Sequence, residues 1–190
     1  MLNSKVLEGI FMSIIKTERL ILRPLTDNDA AEMFKNWTWD ERVARYCRWH
    51  PHKSIEETKE LLKMYKSQTE KVFDYLWGIT LQDGNNLIGV IDVIDLSEDK
   101  KTAEVGYVLA YDYWNNGYLT ESLKAVITEL FNDGVETVLA DHHVENIASG
   151  RVMEKCGMKF THFSKAKAKF GSDELCYVKC YEIKKGIANE

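Results

Sequence analysis

The sequence has few of the features that mark a membrane protein. Its uninterrupted apolar runs are short, as in Leu87-Ile88-Gly89-Val90-Ile91, whereas a membrane-spanning helix needs roughly 20 apolar residues. The N-terminal stretch 1–16 is interrupted by Lys5 and Glu8 and has no small-residue cleavage site, so we expect no signal peptide. We therefore predict a cytoplasmic protein without a membrane segment.

Cysteine and proline are also scarce. The 2 prolines and 11 glycines exclude a collagen-like or proline-rich chain. Four scattered cysteines, Cys47, Cys156, Cys176 and Cys180, are too few for a disulfide framework. The spacing Cys47-x2-His50-x-His52 would suit half of a zinc site, but no second half accompanies it, so we expect no metal and interpret it as a loop with a buried cysteine.

The charge balance shows no excess of positive charge. With 25 basic and 30 acidic residues, the net charge of −5 argues against nucleic-acid binding as the main role. At 190 residues, 45% hydrophobic and 29% charged, the chain has the usual composition of one globular domain. We predict a domain over residues 13–185, preceded by an N-terminal extension over 1–12, with Met12 as an alternative start.

Hydrophobic periodicity and turn signals predict the order β-αα-βββ-α-β-α-ββ. A helix begins at Thr26, and a second opens at Ser54 with Glu57 as a capping box. The predicted strands are 17–25, 72–81, 86–96, 101–110, 136–141, 159–170 and 174–183, and the later helices are 117–132 and 146–156. This pattern predicts an α/β fold with a mixed, mostly antiparallel sheet and helices on both faces.

The loop Trp114-Asn115-Asn116-Gly117 leads from a strand directly into a helix. Bare backbone N–H groups and the helix dipole at such a junction make an anion seat, although the spacing alone also fits a simple tight turn. The loop lacks the Gly-Lys-Ser/Thr ending of a nucleotide P-loop and the Gly-x-Gly-x-x-Gly of a dinucleotide fold. Hydrolysis of ATP or GTP is therefore not expected.

Four stretches carry a more specific signal together, in the order in which they occur. They are Thr17-Glu18-Arg19-Leu20 with Arg23-Pro24, Ala103-Glu104-Val105-Gly106-Tyr107, Trp114-Asn115-Asn116-Gly117-Tyr118-Leu119 and Asn146-Ile147-Ala148-Ser149. Over about residues 13–183 the chain resembles the GNAT acyl-CoA N-acyltransferase superfamily, and within it the branch of ribosomal-protein N-terminal acetyltransferases.

The resemblance implies a splayed sheet that holds acetyl-CoA between two diverging strands, here 101–110 and 136–141. The pyrophosphate would lie on backbone amides of the loop, the pantetheine arm beside Val108 and Leu109, and the Asn-x-x-Ser of Asn146 and Ser149 beside the thiol. The implied coenzyme-binding set is Val108, Leu109, Trp114, Asn115, Asn116, Gly117, Tyr118, Leu119, Thr120, Asn146, Ser149 and Met153.

Three positions depart from the family pattern. Trp114 and Leu119 occupy the first and last places of the phosphate loop, where Leu119 is bulky enough to crowd the phosphates. Many relatives carry at the Met153 position a tyrosine that protonates the departing thiolate; methionine cannot, so Ser149 is the better candidate acid. These departures keep open a non-catalytic acyl-CoA-binding or protein-interaction module on the same fold.

Acetyl transfer from a thioester to an amine needs a neutral amine, a stabilised oxyanion and a proton for the thiolate. Glu104 is the candidate base, because strand alternation places it on one face with Gly106 and Val108 and because it matches a glutamate used so in some relatives. The alternative is a rim glutamate that orders water or binds a cationic substrate. We predict direct transfer in a ternary complex, without an acyl-Cys156 intermediate.

The aromatic segment from residue 37 to 49 is the candidate acceptor-binding region. Trp37 and Trp49 would roof the acceptor cleft or belong to a helix–helix core, and RNA stacking is the less favoured alternative. His142 and His143 are expected at a polar rim, and Lys165, Lys167 and Lys169 on a solvated strand face. The acceptor amine stays open among protein N-termini and small molecules, and exposed strands near the C-terminus leave a homodimer open.

Overall fold

The computed structural model describes residues 13–72, 75–82 and 86–186, with the backbone alone at 66 and 68–72. The strands are β1 (Ile15–Lys16), β2 (Leu20–Pro24), β3 (Leu76–Leu81), β4 (Leu87–Leu96), β5 (Thr102–Leu109), β6 (Thr137–His143), β7 (Lys159–Lys167) and β8 (Leu175–Lys184). The helices are α1 (Asp29–Met33), continued by a π-helical turn (Phe34–Thr38), α2 (Glu41–Ala44), α3 (Ile55–Val72), α4 (Tyr118–Asn132) and α5 (Ile147–Lys155).

The predicted order of elements is confirmed, with local differences at short or adjoining elements. The helix that opens after Ser54 continues to Val72, so the strand expected from 72 begins at Leu76. β1 and α2 were not predicted, because two and four residues are too few to show a periodicity. The extension 1–12 and the predicted Asp83-Gly84 turn lie outside the described residues.

All described strands join one sheet in the order β1-β2-β3-β4-β5-β6-β8-β7. Every neighbouring pair is antiparallel except β5 and β6, which are parallel. That parallel pairing covers only three residue pairs, Thr102 with Thr137, Ala103 with Val138 and Glu104 with Leu139. Both strands then continue without pairing to each other, which confirms the predicted splayed sheet. We call this opening, between residues 105–109 and 140–143, the fork.

Two hydrophobic cores cover the two faces of the sheet. α4 and α5 pack on one face around Leu123, Val126 and Leu130, which recur at helical spacing. α1 to α3 pack on the other face, where Met33, Trp37 and Leu62 meet Leu76 and Val90 of the strands. Each large apolar side chain buried in this way contributes about 1.5–3 kcal/mol, so both helical layers are held firmly on the sheet. In the described part of the chain, no helix has the length and apolarity that a bilayer crossing requires.

Candidate functional site

The backbone of β5 turns alternate residues toward the fork. Ala110 donates its N–H to Ile88 O at 2.8 Å, on the β4 side. Because alternate residues of an antiparallel strand face the same neighbour, Val108 also faces β4, and Leu109 and Tyr107 face the fork. The indole Nε1 of Trp114 donates to Leu109 O at 2.8 Å, which agrees with that direction. The fork therefore presents main-chain groups that an amide-bearing ligand can pair with.

The loop between β5 and α4 presents a row of unpaired donors. Asn115 and Gly117 adopt positive φ angles of 61° and 81°, and a left-handed conformation of this kind favours glycine. Within the described residues, no acceptor meets the backbone N–H of residues 115–120, and the first bond of the helix runs from Glu121 N–H to Gly117 O at 3.0 Å. Unpaired N–H groups and the positive end of a helix dipole can bind an anion, so we call residues 115–120 the anion seat.

Arg19, in the stretch just before β2, contacts the loop between β5 and α4 and the first turn of α4. Its Nη1 donates to Asn116 O at 2.9 Å, its Nη2 forms an ion pair with Glu121 at 2.7 Å, and its guanidinium lies 4.6 Å from the ring centre of Tyr118. A Cβ on Gly117 would come 3.4 Å from Arg19 Nη2. The sequence singled out Thr17-Glu18-Arg19-Leu20 as a motif but did not reveal that Arg19 holds the loop.

Leu119 and Trp114 occupy different environments in this loop. Leu119, which was expected to crowd a bound phosphate, is partly buried and packs against the core between the sheet and helices α4 and α5. Trp114 is 37% exposed at the surface beside Tyr111, with ring centres 4.9 Å apart. The large side chains of the loop thus contact protein groups, and the donors of the anion seat belong to the main chain.

The start of α5 places a hydroxyl pair at the fork. Asn146 caps the helix, its Oδ1 accepting the N–H of Ser149 at 3.3 Å. Tyr107 OH lies 2.9 Å from Ser149 Oγ and donates to Ser149 O at 3.1 Å. Burial raises the pKa of Tyr107, so its phenol keeps its proton at neutral pH. Met153 is fully buried in the core between the sheet and helices α4 and α5. The sequence did not identify Tyr107 as a site residue, because alternation shows only that its side chain lies on the face of the sheet away from Glu104.

Carboxylates gather on the face of the sheet that α1 to α3 cover. Glu104 of β5 pairs with Leu139 of β6, and alternation along β6 then puts Asp141 on the same face as Glu104. Burial is the main cause that raises the pKa of Glu104, and the charge of Asp141 adds to it while Arg48 opposes it. Burial likewise raises the pKa of Asp141, whose Oδ2 lies 3.5 Å from Arg48 Nη2. This face can therefore receive a cation.

Residues 37–52, which we call the roof segment, lie over that face. Trp37 is only 1% exposed and Trp49 7%. Both belong to the core between the sheet and helices α1 to α3, so they hold the roof segment in place by packing. Tyr46 stacks on His143 at 5.1 Å between ring centres, and Arg45 lies 3.8 Å from Glu145. The roof segment thus reaches the end of β6 beside the fork.

Lys169, just beyond β7, fastens the roof segment. Its Nζ donates to three main-chain oxygens, those of Ala44 at 2.8 Å, Cys47 at 2.7 Å and Trp49 at 3.1 Å. Lys165 and Lys167 are exposed as expected, but the solvated position predicted for Lys169 is wrong. β7 ends at Lys167, so the alternation that the sequence suggested does not extend to Lys169.

His142 and Cys156 are two further residues that the structure buries. His142, expected at a polar rim, is 5% exposed, because β6 runs to His143 and alternation turns His142 inward against Gly150 of α5. Cys156 is 8% exposed, and burial raises the pKa of its thiol to about 12, so it stays protonated and is a weak nucleophile. Among the described residues, no group of three or more His, Cys, Asp or Glu could hold a metal ion.

Comparisons with known proteins agree with this geometry. A family model described as an acetyltransferase (GNAT) domain matches residues 19–159, a range that contains the fork, the anion seat and α5. The uncharacterized N-acetyltransferase YoaA of Bacillus subtilis is 32% identical over 147 residues, which cover 77% of this chain and 82% of that protein.

Solved structures show the same architecture. A GNAT-family acetyltransferase from Bacillus anthracis matches with a TM-score of 0.78 and 25% identity, over 90% of this chain and 98% of its own. The ribosomal L7/L12 alpha-N-protein acetyltransferase RimL, in complex with coenzyme A, matches with a TM-score of 0.71 and 20% identity, over 90% of this chain and 98% of its own.

Proposed function

This chain belongs to the GNAT acetyltransferase family, and we propose on that premise that it transfers the acetyl group of acetyl-CoA to a primary amine by direct attack in a ternary complex. The acceptor would be a protein N-terminus or a small molecule. The observation that carries the proposal is the row of six unpaired N–H groups at residues 115–120 beside the fork between β5 and β6.

The coenzyme would occupy the anion seat and the fork together. The N–H groups of residues 115–120 suit a diphosphate, because each donates to an anionic oxygen and the α4 dipole favours negative charge. The main-chain groups that face the fork at Tyr107 and Leu109 suit the amides of a pantetheine arm and the oxygen of a thioester. That RimL crystallises with coenzyme A supports the same ligand here.

The acceptor amine would enter between the roof segment and the carboxylate face. At neutral pH an α-amino group or a lysine side chain is mostly protonated, with a pKa of about 8 or 10.4. Glu104, the last paired residue before the fork, would draw the ammonium in and is the first candidate to promote its deprotonation, directly or through a bound water. Arg48 beside Asp141 balances part of the negative charge.

The departing thiolate would be protonated from α5. Ser149 stands at the start of that helix on the fork side, and its hydroxyl is within 2.9 Å of Tyr107 OH. Because Tyr107 stays protonated, the pair has two hydroxyl protons available, and Ser149 is the member that matches the family's motif. Cys156 takes no part, because its thiol is buried and protonated.

The test combines binding and turnover. Acetyl-CoA should raise the melting temperature of the protein, and a panel of spermidine, kanamycin and a serine-initiated tetrapeptide should release free thiol with at least one member. Glu104→Gln and Ser149→Ala should keep acetyl-CoA affinity and lose turnover. Binding without any transfer would instead favour the acyl-CoA-binding module, and no binding at millimolar acetyl-CoA would refute both functions.

A further inference from the structure

Asp92 is a carboxylate on the acceptor face that the proposed chemistry has not used. It lies on β4 directly opposite Gly106 of β5, whereas Glu104 is opposite Asp95. Gly106 is the second residue of the fork, and Glu104 is the last paired residue before it. Asp92 is therefore level with the fork, and Glu104 is at its base.

The carboxylate of Asp92 lies over the backbone of Gly106, at the second residue of the fork. A Cβ at position 106 would come within 3.2 Å of Asp92 Oδ1 and 3.1 Å of Ile94 Cγ2, closer than side chains comfortably pack. Because residue 106 is a glycine, no side chain of β5 separates the Asp92 carboxylate from the backbone of the fork. An amine held at the fork beside Gly106 would therefore be next to Oδ1 of Asp92.

Among the described residues, no side chain donates a hydrogen bond to the carboxylate of Asp92 and no cation forms an ion pair with it. A hydrogen bond from its own main chain favours the charged form. Burial raises its pKa to about 7. Within the part of the chain that the structure describes, Tyr65 of α3 is the titratable group whose pKa responds to the charge of Asp92, and it responds also to Cys47 of the roof segment. Opposite Asp92, β5 and β3 present Gly106 and Leu76.

We propose that Asp92, in place of Glu104, is the group that takes the proton from the acceptor ammonium, while Glu104 holds the incoming cation at the base of the fork. This role rests on the proposed acetyl transfer and assigns one step of it. A carboxylate with a pKa near 7 instead of 3.8 makes proton transfer from an amine about a thousandfold less unfavourable. Glu104 shares its surroundings with Asp141 and Arg48, so it is better suited to binding charge.

The protons and bonds balance in this scheme. The ammonium gives one proton to Asp92, and the free amine nitrogen forms a bond to the thioester carbon. The tetrahedral adduct collapses, the carbon–sulfur bond breaks, and the nitrogen loses its second proton to water. The coenzyme thiolate takes a proton from Ser149, which regains one from water, and Asp92 returns its own to solvent. The net products are the N-acetyl amine, free coenzyme A and one proton.

The experiment measures kcat/KM of Asp92→Asn between pH 6 and 9.5, with the amine from the panel that the wild-type protein acetylates fastest. Glu98→Gln, which removes the same charge from an exposed turn, is the matched control. We expect Asp92→Asn to lose about 100-fold or more in kcat/KM at pH 7.5. We expect the wild-type kcat/KM to decline below pH about 7 and this decline to be absent from the variant, leaving only the limb set by the amine. Calorimetric affinity for acetyl-CoA should not change.

Several results would overturn this role. One is an Asp92→Asn variant within threefold of wild type that keeps the decline below pH 7. Another is a loss of acetyl-CoA affinity equal to the loss of activity, which would mean that Asp92 only maintains structure. A wild-type protein that binds acetyl-CoA but acetylates none of the amines would instead remove the proposed function itself, and with it any proton acceptor.

Discussion

At the scale of single residues, one pair of hydroxyl groups determines the geometry beside the fork. The hydroxyl of Tyr107 contacts Ser149 twice, at the side-chain Oγ at 2.9 Å and at the main-chain O at 3.1 Å. The Ser149 hydroxyl is thereby held in one orientation at the start of α5. In the proposed transfer, a proton donor held in this way would lose little freedom when it acts.

Replacing Tyr107 by Phe tests that positioning role. We expect kcat to fall about 10-fold or more, because the Ser149 hydroxyl loses its orientation, while acetyl-CoA affinity stays within twofold. The ring remains, so unfolding free energy should drop by only about 1 kcal/mol for the lost hydrogen bonds. The measurements are steady-state kinetics and urea unfolding, with the exposed Tyr177→Phe as the control. A kcat equal to wild type would contradict the role.

At the scale of elements, the segment after β7 fixes the roof segment. Lys169 satisfies three carbonyl oxygens at and beyond the end of α2, and Phe170 N–H donates to Arg48 O at 2.6 Å. α2 has only four residues, too few to be stable on its own. The position of the roof segment over the carboxylate face therefore depends on a contact from far along the chain.

Lys169→Met keeps the aliphatic stem and removes the three donors. Because hydrogen bonds to charged groups contribute about 1.5–3 kcal/mol, we expect a loss of roughly that size in unfolding free energy. The KM for the amine should rise several-fold as the roof segment loosens, with acetyl-CoA affinity unchanged, because the fork and the anion seat lie on other elements. Calorimetry and kinetics check this, with Lys167→Met as control, since Lys167 only pairs with exposed Asp173. An unchanged KM would show that the roof segment is held by other contacts.

The sequence predicts elements well where a periodic pattern is long and poorly where contacts are distant. The apolar stripe of α4 and the alternation along β5 are local, so the helix, the strand and the face of Glu104 follow from the residues alone. Arg19 beneath the loop lies 97 residues from Asn116 in the chain, and Tyr107 lies 42 residues from Ser149. Such pairs have no local signature, and Lys169 and His142 were misjudged because strand ends are poorly marked.

At the scale of the whole molecule, Asp92 links the site to global stability. A carboxyl whose pKa is raised in the folded state stabilises that state while it is protonated. The contribution is complete below the unfolded pKa of about 3.9 and is lost as pH rises through about 7, because the folded protein must then carry a desolvated charge. The ionised Asp92 that proton transfer requires would thus lower the free energy of unfolding of the whole protein.

Asp92→Asn should remove this pH dependence. The free energy of unfolding of the variant, relative to wild type, should rise between pH 4.5 and 7 by at most about 4 kcal/mol and then level off. Other acid-sensitive pairs, such as Arg23 with Asp29, are common to both proteins and cancel in the difference. Urea unfolding across this range, with Glu98→Gln as reference, measures it. A difference that does not vary with pH would mean that Asp92 is not desolvated in the folded protein.

The narrow parallel pairing between β5 and β6 has a consequence for how the protein resists proteases. Three residue pairs join strands β1–β5 to strands β6–β8, so a pantetheine arm lodged above them would act as an additional rung between the two halves. Ligand that binds only the folded state protects it by mass action. If the proposed ligand is right, resistance of the purified protein to proteases should rise with the concentration of acetyl-CoA.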